Sequence, residues 1–114
     1  MLRKKQKKGD ESVRPWGHYK ITSQTKKIYV KPNRRLSLQY HKNRDEFWNV
    51  LKGSGIVTIN KKEFSAKKGD CFSIPKKVMH RLKAGSKGIE ILEFSSGEVS
   101  ENDIVRVEDD YGRL

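Results

Sequence analysis

The chain has 114 residues, of which 33% are hydrophobic and 35% are charged. That length predicts one ordinary domain with no room for a second catalytic domain. Lysine and arginine number 26 against 14 acidic residues, and the net charge of +12 attracts polyanions and phosphorylated metabolites without defining a site.

The N-terminus begins with a basic run that includes Lys4, Lys5, Lys7 and Lys8. No apolar stretch follows it, so we expect neither a secretion signal nor a membrane span. We predict a flexible basic tail over residues 1–13 and one folded domain over residues 14–114; a tether to nucleic acid or acidic lipid is an alternative use of the tail. The single cysteine, Cys71, cannot form an internal disulfide, which indicates a cytoplasmic protein, and we expect it to be buried.

Short runs rich in Val, Ile, Thr, Tyr and Phe alternate with turn residues, and no window shows a helical period. The pattern predicts an all-β fold with strands at 18–23, 27–31, 36–41, 46–52, 55–60, 62–65, 71–74, 79–83, 88–95 and 103–107. Glycine, proline and asparagine between the runs supply the turns that hairpins require. Many short strands in a small chain indicate a sandwich, a jelly roll or a closed barrel, because these architectures limit exposed sheet edges.

Four potential metal ligands lie on the predicted strands. Strand alternation places Gln39 and His41 on one face of the run 36–41. Glu46 opens the next strand, and a hairpin between the two strands would bring its carboxylate opposite that face. An antiparallel return farther along the chain would place His80 beside them. Two imidazoles, one carboxylate and one amide oxygen suit Zn²⁺, Mn²⁺, Fe²⁺, Co²⁺ or Ni²⁺.

The spacing of Glu46, Gly53, Gly69, Pro75 and His80 resembles the two cupin motifs in order. More narrowly, residues 14–113 resemble the C-terminal isomerase domain of type II phosphomannose isomerases, which is usually fused to a mannose-1-phosphate guanylyltransferase domain. The matching stretches include Arg14-Pro15-Trp16-Gly17, Leu36-Ser37-Leu38-Gln39, His80-Arg81-Leu82 and Tyr111-Gly112-Arg113. The resemblance implies a single-domain cupin, which is a double-stranded β-helix or jelly-roll barrel, with a divalent metal for which zinc is the expected ion.

The chain departs from the family pattern close to the predicted ligands. Three family histidines are replaced by Lys42, Asn43 and Phe47, and Lys77 replaces a common glycine. Generic cupins take a metal ligand from the Asn43 position. Phosphomannose isomerases instead use a Gln-x-His pair, which this chain preserves at residues 39 and 41. We expect the three lost histidines to change the wall around the metal.

The resemblance implies a metal-dependent isomerase that interconverts mannose 6-phosphate and fructose 6-phosphate, a step toward GDP-mannose and polysaccharides. The reaction passes through an enediolate, whose charge a metal can stabilise. Arg44 and Arg113 are the residues we expect to bind the substrate phosphate. The base that moves the proton is left open among a metal-bound hydroxide, Lys31 and Glu90.

Two other functions fit the same residues. One is a cupin isomerase or epimerase for another sugar or a nucleotide sugar. The other is a non-catalytic, sugar-binding cupin that serves a separate guanylyltransferase subunit through the basic tail. Nucleic-acid binding is disfavoured because no recognised binding motif accompanies the charge. The cupin resemblance also implies a homodimer that pairs through sheet edges.

Overall fold

The computed structural model describes residues 11–22, 24–98, 100 and 102–114, and this part of the chain folds into β-strands without a helix. In chain order the strands are β1 (Glu11–Arg14), β2 (Gly17–Thr22), β3 (Thr25–Val30), β4 (Leu38–Tyr40), β5 (Arg44–Ile59), β6 (Lys62–Lys67), β7 (Cys71–Ile74), β8 (His80–Gly97) and β9 (Val105–Glu108). The all-β prediction is confirmed. Within the same ranges there is no helix that could cross a membrane.

Two long antiparallel strands, β5 and β8, organise the sheet. Their register extends from Arg44 opposite Gly97 to Ile59 opposite His80. On one side β8 continues into β3, β2 and β1, and near its start it also pairs with β4, which in turn pairs with β9. β5 also pairs with β6 and with β7. The sheet therefore curls around an interior to which nearly every strand contributes.

β5 and β8 each join two strands that the sequence pattern separates. Gly53, predicted to lie in a turn, instead marks a register shift inside β5. Its φ is 77°, and a Cβ atom there would lie 2.1 Å from the carbonyl oxygen of Gly88 on β8. Only glycine fits so close an approach of two backbones in that conformation. The predicted turn at residues 85 and 86 likewise lies within β8.

The interior holds both apolar and polar side chains. Its apolar part includes Val30, Trp48, Val50, Ile89 and Ile91, each at most 1% exposed. The buried polar residues, each at most 8% exposed, are Ser37, His41, Arg44, Glu46, His80, Arg81 and Glu93. Charged groups stay in an interior only where other charges or hydrogen bonds compensate them, so this polar group indicates a functional site.

Two surface features differ from the sequence-based expectations. Residues 11–13, assigned to the flexible tail, form β1 with Arg14 and pair with β2. The remaining tail residues, 1–10, lie outside the described residues, as does residue 23 at the predicted end of a strand. Cys71 begins β7 but is exposed, because the alternation of this short strand turns Phe72 and Ile74 inward instead.

Candidate metal centre

Three buried side chains bring their donor atoms together inside the barrel. Nε2 of His41 lies 3.1 Å from Oε2 of Glu46, and Nε2 of His80 lies 3.6 Å from Oε1 of the same carboxylate. One donor atom from each residue lies within 4.8 Å of the others. All three side chains belong to residues that are at most 3% exposed. This spacing lets a single ion contact all three groups.

Backbone carbonyls fix the orientation of both imidazole rings. Nδ1 of His41 hydrogen-bonds to the carbonyl oxygen of Asp103, and Nδ1 of His80 lies 3.0 Å from that of Val78. Because a carbonyl only accepts, each Nδ1 carries a proton, and a neutral ring then presents the lone pair of Nε2. Nε2 of His80 is buried without a hydrogen-bond partner among the described residues. An unpaired buried acceptor costs about 1–3 kcal/mol, so the donor set fits a metal ion.

Gln39 stands beside the three donors. It pairs with His80 across β4 and β8, and its Nε2 lies 3.4 Å from Nε2 of His41. Its Oε1 accepts a hydrogen bond from Ser37. Metal ligation requires the opposite amide orientation, in which Oε1 faces His41 and the NH₂ group donates to Ser37; the Ser37 hydroxyl can serve either orientation. The structure thus brings all four predicted ligands together.

The route by which Glu46 reaches the histidines differs from the predicted hairpin. In the described part of the chain β4 pairs with β8 and β9, whereas β5 pairs with β6, β7 and β8. Glu46 therefore meets His41 across the interior of the barrel. The predicted grouping of ligands holds, but a different strand arrangement produces it.

Asp103 fixes the position of the segment 41–43 through hydrogen bonds. Its carboxylate accepts the backbone N–H groups of Lys42 at 2.8 Å and Asn43 at 2.9 Å, and its carbonyl orients the His41 ring. Partial desolvation would raise the pKa of Asp103, but these N–H groups hold it below its ordinary value. Asp103 lies about sixty residues from this segment, so strand patterns within the sequence do not indicate the contact.

Asp103→Ala removes the carboxylate that fixes residues 42 and 43 but keeps the carbonyl bonded to the His41 ring, so zinc binding should weaken by about 10-fold, the lower end of the effect of losing an outer group of a metal site. A competition titration against a chromophoric chelator measures the affinity. Asp70→Ala is the matched control, because Asp70 also accepts a backbone N–H, from Lys67 at 3.0 Å, in a turn away from the site. Equal zinc affinity in the two variants would show that the carboxylate of Asp103 does not position the segment that carries His41.

Arg44 supplies a fixed positive charge next to Glu46. Its Nη2 lies 3.0 Å from Oε2 of Glu46, its Nε donates to the same oxygen, and its Nη1 donates to the Ser100 carbonyl. Burial alone would raise the pKa of Glu46, but His41, His80 and Arg44 together hold it well below its ordinary value. Burial lowers the pKa of His80. An ionised Glu46 and a neutral His80 are the states that metal binding requires.

A partly open cavity of about 260 Å³ lies next to these donors, and Glu93 is part of its wall. Nε1 of Trp48 donates to Oε2 of Glu93 at 3.1 Å and to Oε1 of Glu46 at 3.3 Å. Burial and the neighbouring charge of Glu46 raise the pKa of Glu93 to about 8. Glu93 was not among the predicted site residues, although it follows Ile89 and Ile91 at alternate positions of an apolar strand, a pattern that places it on the buried face.

Of the four residues predicted to act on the substrate, two lie at the cavity and two do not. Arg44 and Arg113 line the cavity, whereas Lys31 and Glu90 do not. Lys31 is exposed after the end of β3. Glu90 alternates with the buried isoleucines of β8, so it lies half-buried on the other face of the strand, with its carboxylate 3.9 Å from Nζ of Lys27. The geometry therefore gives no support to Lys31 or Glu90 as the base.

The residues that depart from the family pattern also lie away from the cavity. Lys42 and Asn43 are exposed, and Phe47 is 40% exposed, with its ring centroid 6.4 Å from that of Phe94. None of the three lines the cavity. The prediction that they change the wall around the metal is wrong, because alternation along β5 turns Phe47 away from Glu46.

Lys77 occupies a backbone conformation that explains why glycine is common at this position. Its φ is 68°, in the left-handed region, and its N–H donates to the His41 carbonyl at 2.6 Å. A side chain in this conformation costs about 1 kcal/mol relative to glycine. The substitution therefore keeps the contact to the ligand segment at a small cost in stability.

Arg113 anchors the C-terminal segment through Asp109. Its Nη2 lies 2.6 Å from Oδ1 of Asp109, and both its Nε and its backbone N–H donate to Oδ2. The hydrogen bond from the Arg113 side chain is the main cause that lowers the pKa of Asp109 from 3.8 to about 2.

Asp109→Asn should destabilise the protein at neutral pH by an amount that disappears in acid. Because the folded-state pKa of Asp109 is depressed, its stabilisation is complete above pH 3.8 and is lost as the pH falls toward about 2. Urea unfolding of wild type and variant at several pH values measures the difference. A difference that stays constant down to pH 2 would contradict the ion pair.

The topology is shared with solved cupins. The capsular polysaccharide assembling protein CapF from Staphylococcus aureus superposes with a TM-score of 0.77 at 16% identity, covering 86% of this chain and 34% of that one. KdgF from Halomonas sp. gives 0.73 at 18% identity, covering 78% and 86%. A cupin protein from Bacteroides fragilis gives 0.60 at 20% identity, covering 67% and 66%. The fold is that of a cupin barrel, as the motif spacing predicted.

The sequence profile of the family described as "Mannose-6-phosphate isomerase C-terminal" matches residues 2–109, and the chain belongs to that family. Similar proteins include the mannose-1-phosphate guanylyltransferase of Klebsiella pneumoniae, 38% identical over 97% of this chain and 25% of that protein. The alginate biosynthesis protein AlgA of Pseudomonas aeruginosa is 43% identical over 90% and 23%. The xanthan biosynthesis protein XanB of Xanthomonas campestris is 42% identical over 88% and 23%. The chain spans about a quarter of the length of these relatives.

Proposed function

We propose that this domain is a metal-dependent isomerase of phosphorylated aldoses and that it interconverts mannose 6-phosphate and fructose 6-phosphate. The observation that carries the proposal is the convergence of His41, Glu46 and His80, of which His41 and Glu46 line a cavity that also holds Glu93. The family supports the choice of sugar, and the names of AlgA and XanB support a role in polysaccharide biosynthesis.

The residues that would hold the metal are His41, Glu46 and His80, with Gln39 as a fourth ligand. When bound, the ion would polarise the carbonyl group of the sugar and stabilise the negative charge that develops on its oxygen. Zinc is the ion that we propose, and manganese, cobalt, iron and nickel suit the same donors. The unpartnered Nε2 of His80 supports this assignment, since no protein group in the described residues satisfies it.

Glu93 is the residue that we assign to proton transfer. Among the described residues that line the cavity, the carboxyl groups are those of Glu46 and Glu93, and Glu46 is used as a ligand. Glu93 would remove the proton from C2 of the aldose and return it to C1, while the C2 hydroxyl proton moves to the C1 oxygen. The bond from Trp48 to Oε2 holds the carboxyl group in place beside Glu46.

Arg44 acts on Glu46 in this proposal and not on the substrate phosphate as the sequence predicted. Its three kinds of nitrogen donor are directed at Glu46 and at the Ser100 carbonyl. These bonds keep the ligand carboxylate ionised and oriented. Arg44 is therefore a positioning residue for the metal centre.

An NMR assay in D₂O tests the proposed reaction. The zinc-loaded protein should convert mannose 6-phosphate to fructose 6-phosphate and exchange the C2 proton of the aldose for deuterium. His80→Ala protein, treated with zinc in the same way, is the control and should leave the sugar unchanged. Unchanged mannose 6-phosphate with zinc-loaded wild type would contradict the proposal. Conversion of a nucleotide sugar in a parallel sample would then point to the alternative cupin activity.

A further inference from the structure

Three arginines meet at the cavity wall although they come from opposite ends of the described chain. Arg14 ends β1, Arg106 lies in β9, and Arg113 follows β9 in the C-terminal segment. Arg106 pairs directly with Gln39 in the β4–β9 register, so their side chains project from the same face of the sheet. Arg106 therefore lies on β9, the strand next to β4, which carries Gln39.

The charge of this group is only partly neutralised by the protein. Arg113 is paired with Asp109. Arg14 donates to neutral acceptors, the hydroxyl of Tyr19 at 3.0 Å and the carbonyl of Val13 at 3.1 Å. Nε of Arg106 is buried without a hydrogen-bond partner in the described part of the chain. Two of the three guanidinium groups therefore lack a carboxylate partner among the described residues.

The arginines also repel one another, and the carboxylate of Asp109 offsets this repulsion only in part. Burial and the positive charges of Arg113 and Arg14 lower the pKa of Arg106. Lys26 adds a further cation on the same wall, with its Nζ 4.6 Å from the centre of the Tyr19 ring. A cluster of like charges around an unsatisfied donor is stabilised when an anion binds to it.

The geometry of the donors favours a phosphate group over a single-point anion. A guanidinium presents a planar fork that matches two oxygens at once, and a phosphate monoester offers three oxygens and two negative charges. The same cavity is also lined by Gln39, His41 and Glu93. Such a cavity suits a ligand with a phosphate at one end and a polyol at the other.

We propose that Arg14, Arg106 and Arg113 form a phosphate subsite that binds the phosphate of a sugar phosphate while C1 and C2 of the sugar face Glu93 and the metal ligands. The orientation of the sugar rests on the proposed function, whereas the binding of phosphate does not. Arg106 makes the largest contribution because its Nε has no competing partner. Arg113 contributes less because Asp109 already occupies two of its donors.

Binding of inorganic phosphate, mannose 6-phosphate and mannose to the zinc-loaded chain tests the subsite by calorimetry. Wild type should bind both phosphates, and mannose should bind at least about tenfold more weakly. Arg106→Gln should weaken phosphate binding by about tenfold or more and raise KM more than it lowers kcat, with zinc content unchanged. His80→Ala protein keeps the arginines and should still bind inorganic phosphate, which separates their role from that of the metal.

Arg14→Gln provides a second test at an exposed position. It should also weaken phosphate binding, but by less than Arg106→Gln does. Arg34→Gln is the matched control, because Arg34 is an exposed arginine that does not line the cavity, and its phosphate binding should equal that of wild type. Unchanged phosphate binding in both Arg106→Gln and Arg14→Gln would overturn the subsite, and so would mannose that binds as tightly as mannose 6-phosphate.

The two proposals fail in distinguishable ways. A wild-type protein that binds phosphate through Arg106 but does not isomerise mannose 6-phosphate would refute the proposed function and support the subsite. A wild-type protein that isomerises the sugar, with KM unaltered in both arginine variants, would support the proposed function and refute the subsite.

Discussion

His80→Ala should give a folded barrel that no longer retains zinc. The substitution removes one of two imidazole donors from a three-residue cluster, and we expect zinc affinity to fall by at least about 100-fold, more than the loss of an orienting group costs. The ring also packs edge-on against Trp48, with centroids 5.5 Å apart. Loss of this contact should lower the free energy of unfolding by about 1–3 kcal/mol, which leaves the fold intact. Elemental analysis after dialysis and circular dichroism measure the two effects.

His18→Ala is the matched control for the loss of zinc. His18 lies on β2, partly exposed, with its ring centroid 5.3 Å from that of Tyr29, and it does not line the cavity. Its removal should leave the zinc content unchanged. Equal zinc content in wild type and His80→Ala would exclude His80 as a ligand.

Glu93→Gln should abolish isomerisation while the protein still binds zinc and phosphate. The amide keeps the shape of the side chain and an oxygen that can accept from Trp48, but it cannot take up a proton from carbon. Loss of a general base typically lowers kcat by about 10²- to 10⁴-fold. Steady-state kinetics and deuterium exchange at C2 of mannose 6-phosphate measure the loss, and unchanged zinc and phosphate binding separates it from damage to the cavity.

Glu90→Gln tests whether the base is Glu93, as we propose from the structure, or Glu90, which was one of the candidates from the sequence. Glu90 lies three residues before Glu93 on β8, on the opposite face of the strand and away from the cavity. Its replacement should leave kcat within about twofold of wild type, as is typical of a substitution away from the substrate. Full activity in Glu93→Gln, or a large loss in Glu90→Gln, would contradict the assignment of the base.

The all-β fold and the grouping of ligands were predictable because they depend on short-range patterns. Alternation in β4 and the residue that follows it places Gln39 and His41 on one face, and alternation along β5 places Glu46 and Trp48 together. The same rule turns Phe47 outward, so the expectation that this residue changes the metal site could have been corrected from the sequence. The position of Glu93 could also have been predicted from the sequence, since it shares a face of the strand with Ile91.

The supporting groups were not predictable in the same way, because their contacts join distant parts of the chain. Asp103 reaches the His41 segment through a loop, and Arg106 reaches Gln39 through the pairing of β9 with β4. No local period encodes either contact. The continuation of β5 through Gly53 could not be predicted either, because glycine usually indicates a turn. Here it permits close packing of two strands.

The most direct test of the metal centre is a crystal structure of the protein grown with zinc, with anomalous diffraction measured at the zinc edge. We predict a single strong anomalous peak bonded to Nε2 of His41, Nε2 of His80 and a carboxylate oxygen of Glu46, with Oε1 of Gln39 as the fourth ligand. An anomalous map with no peak among these residues in zinc-saturated crystals, or with zinc bound only elsewhere, would contradict it.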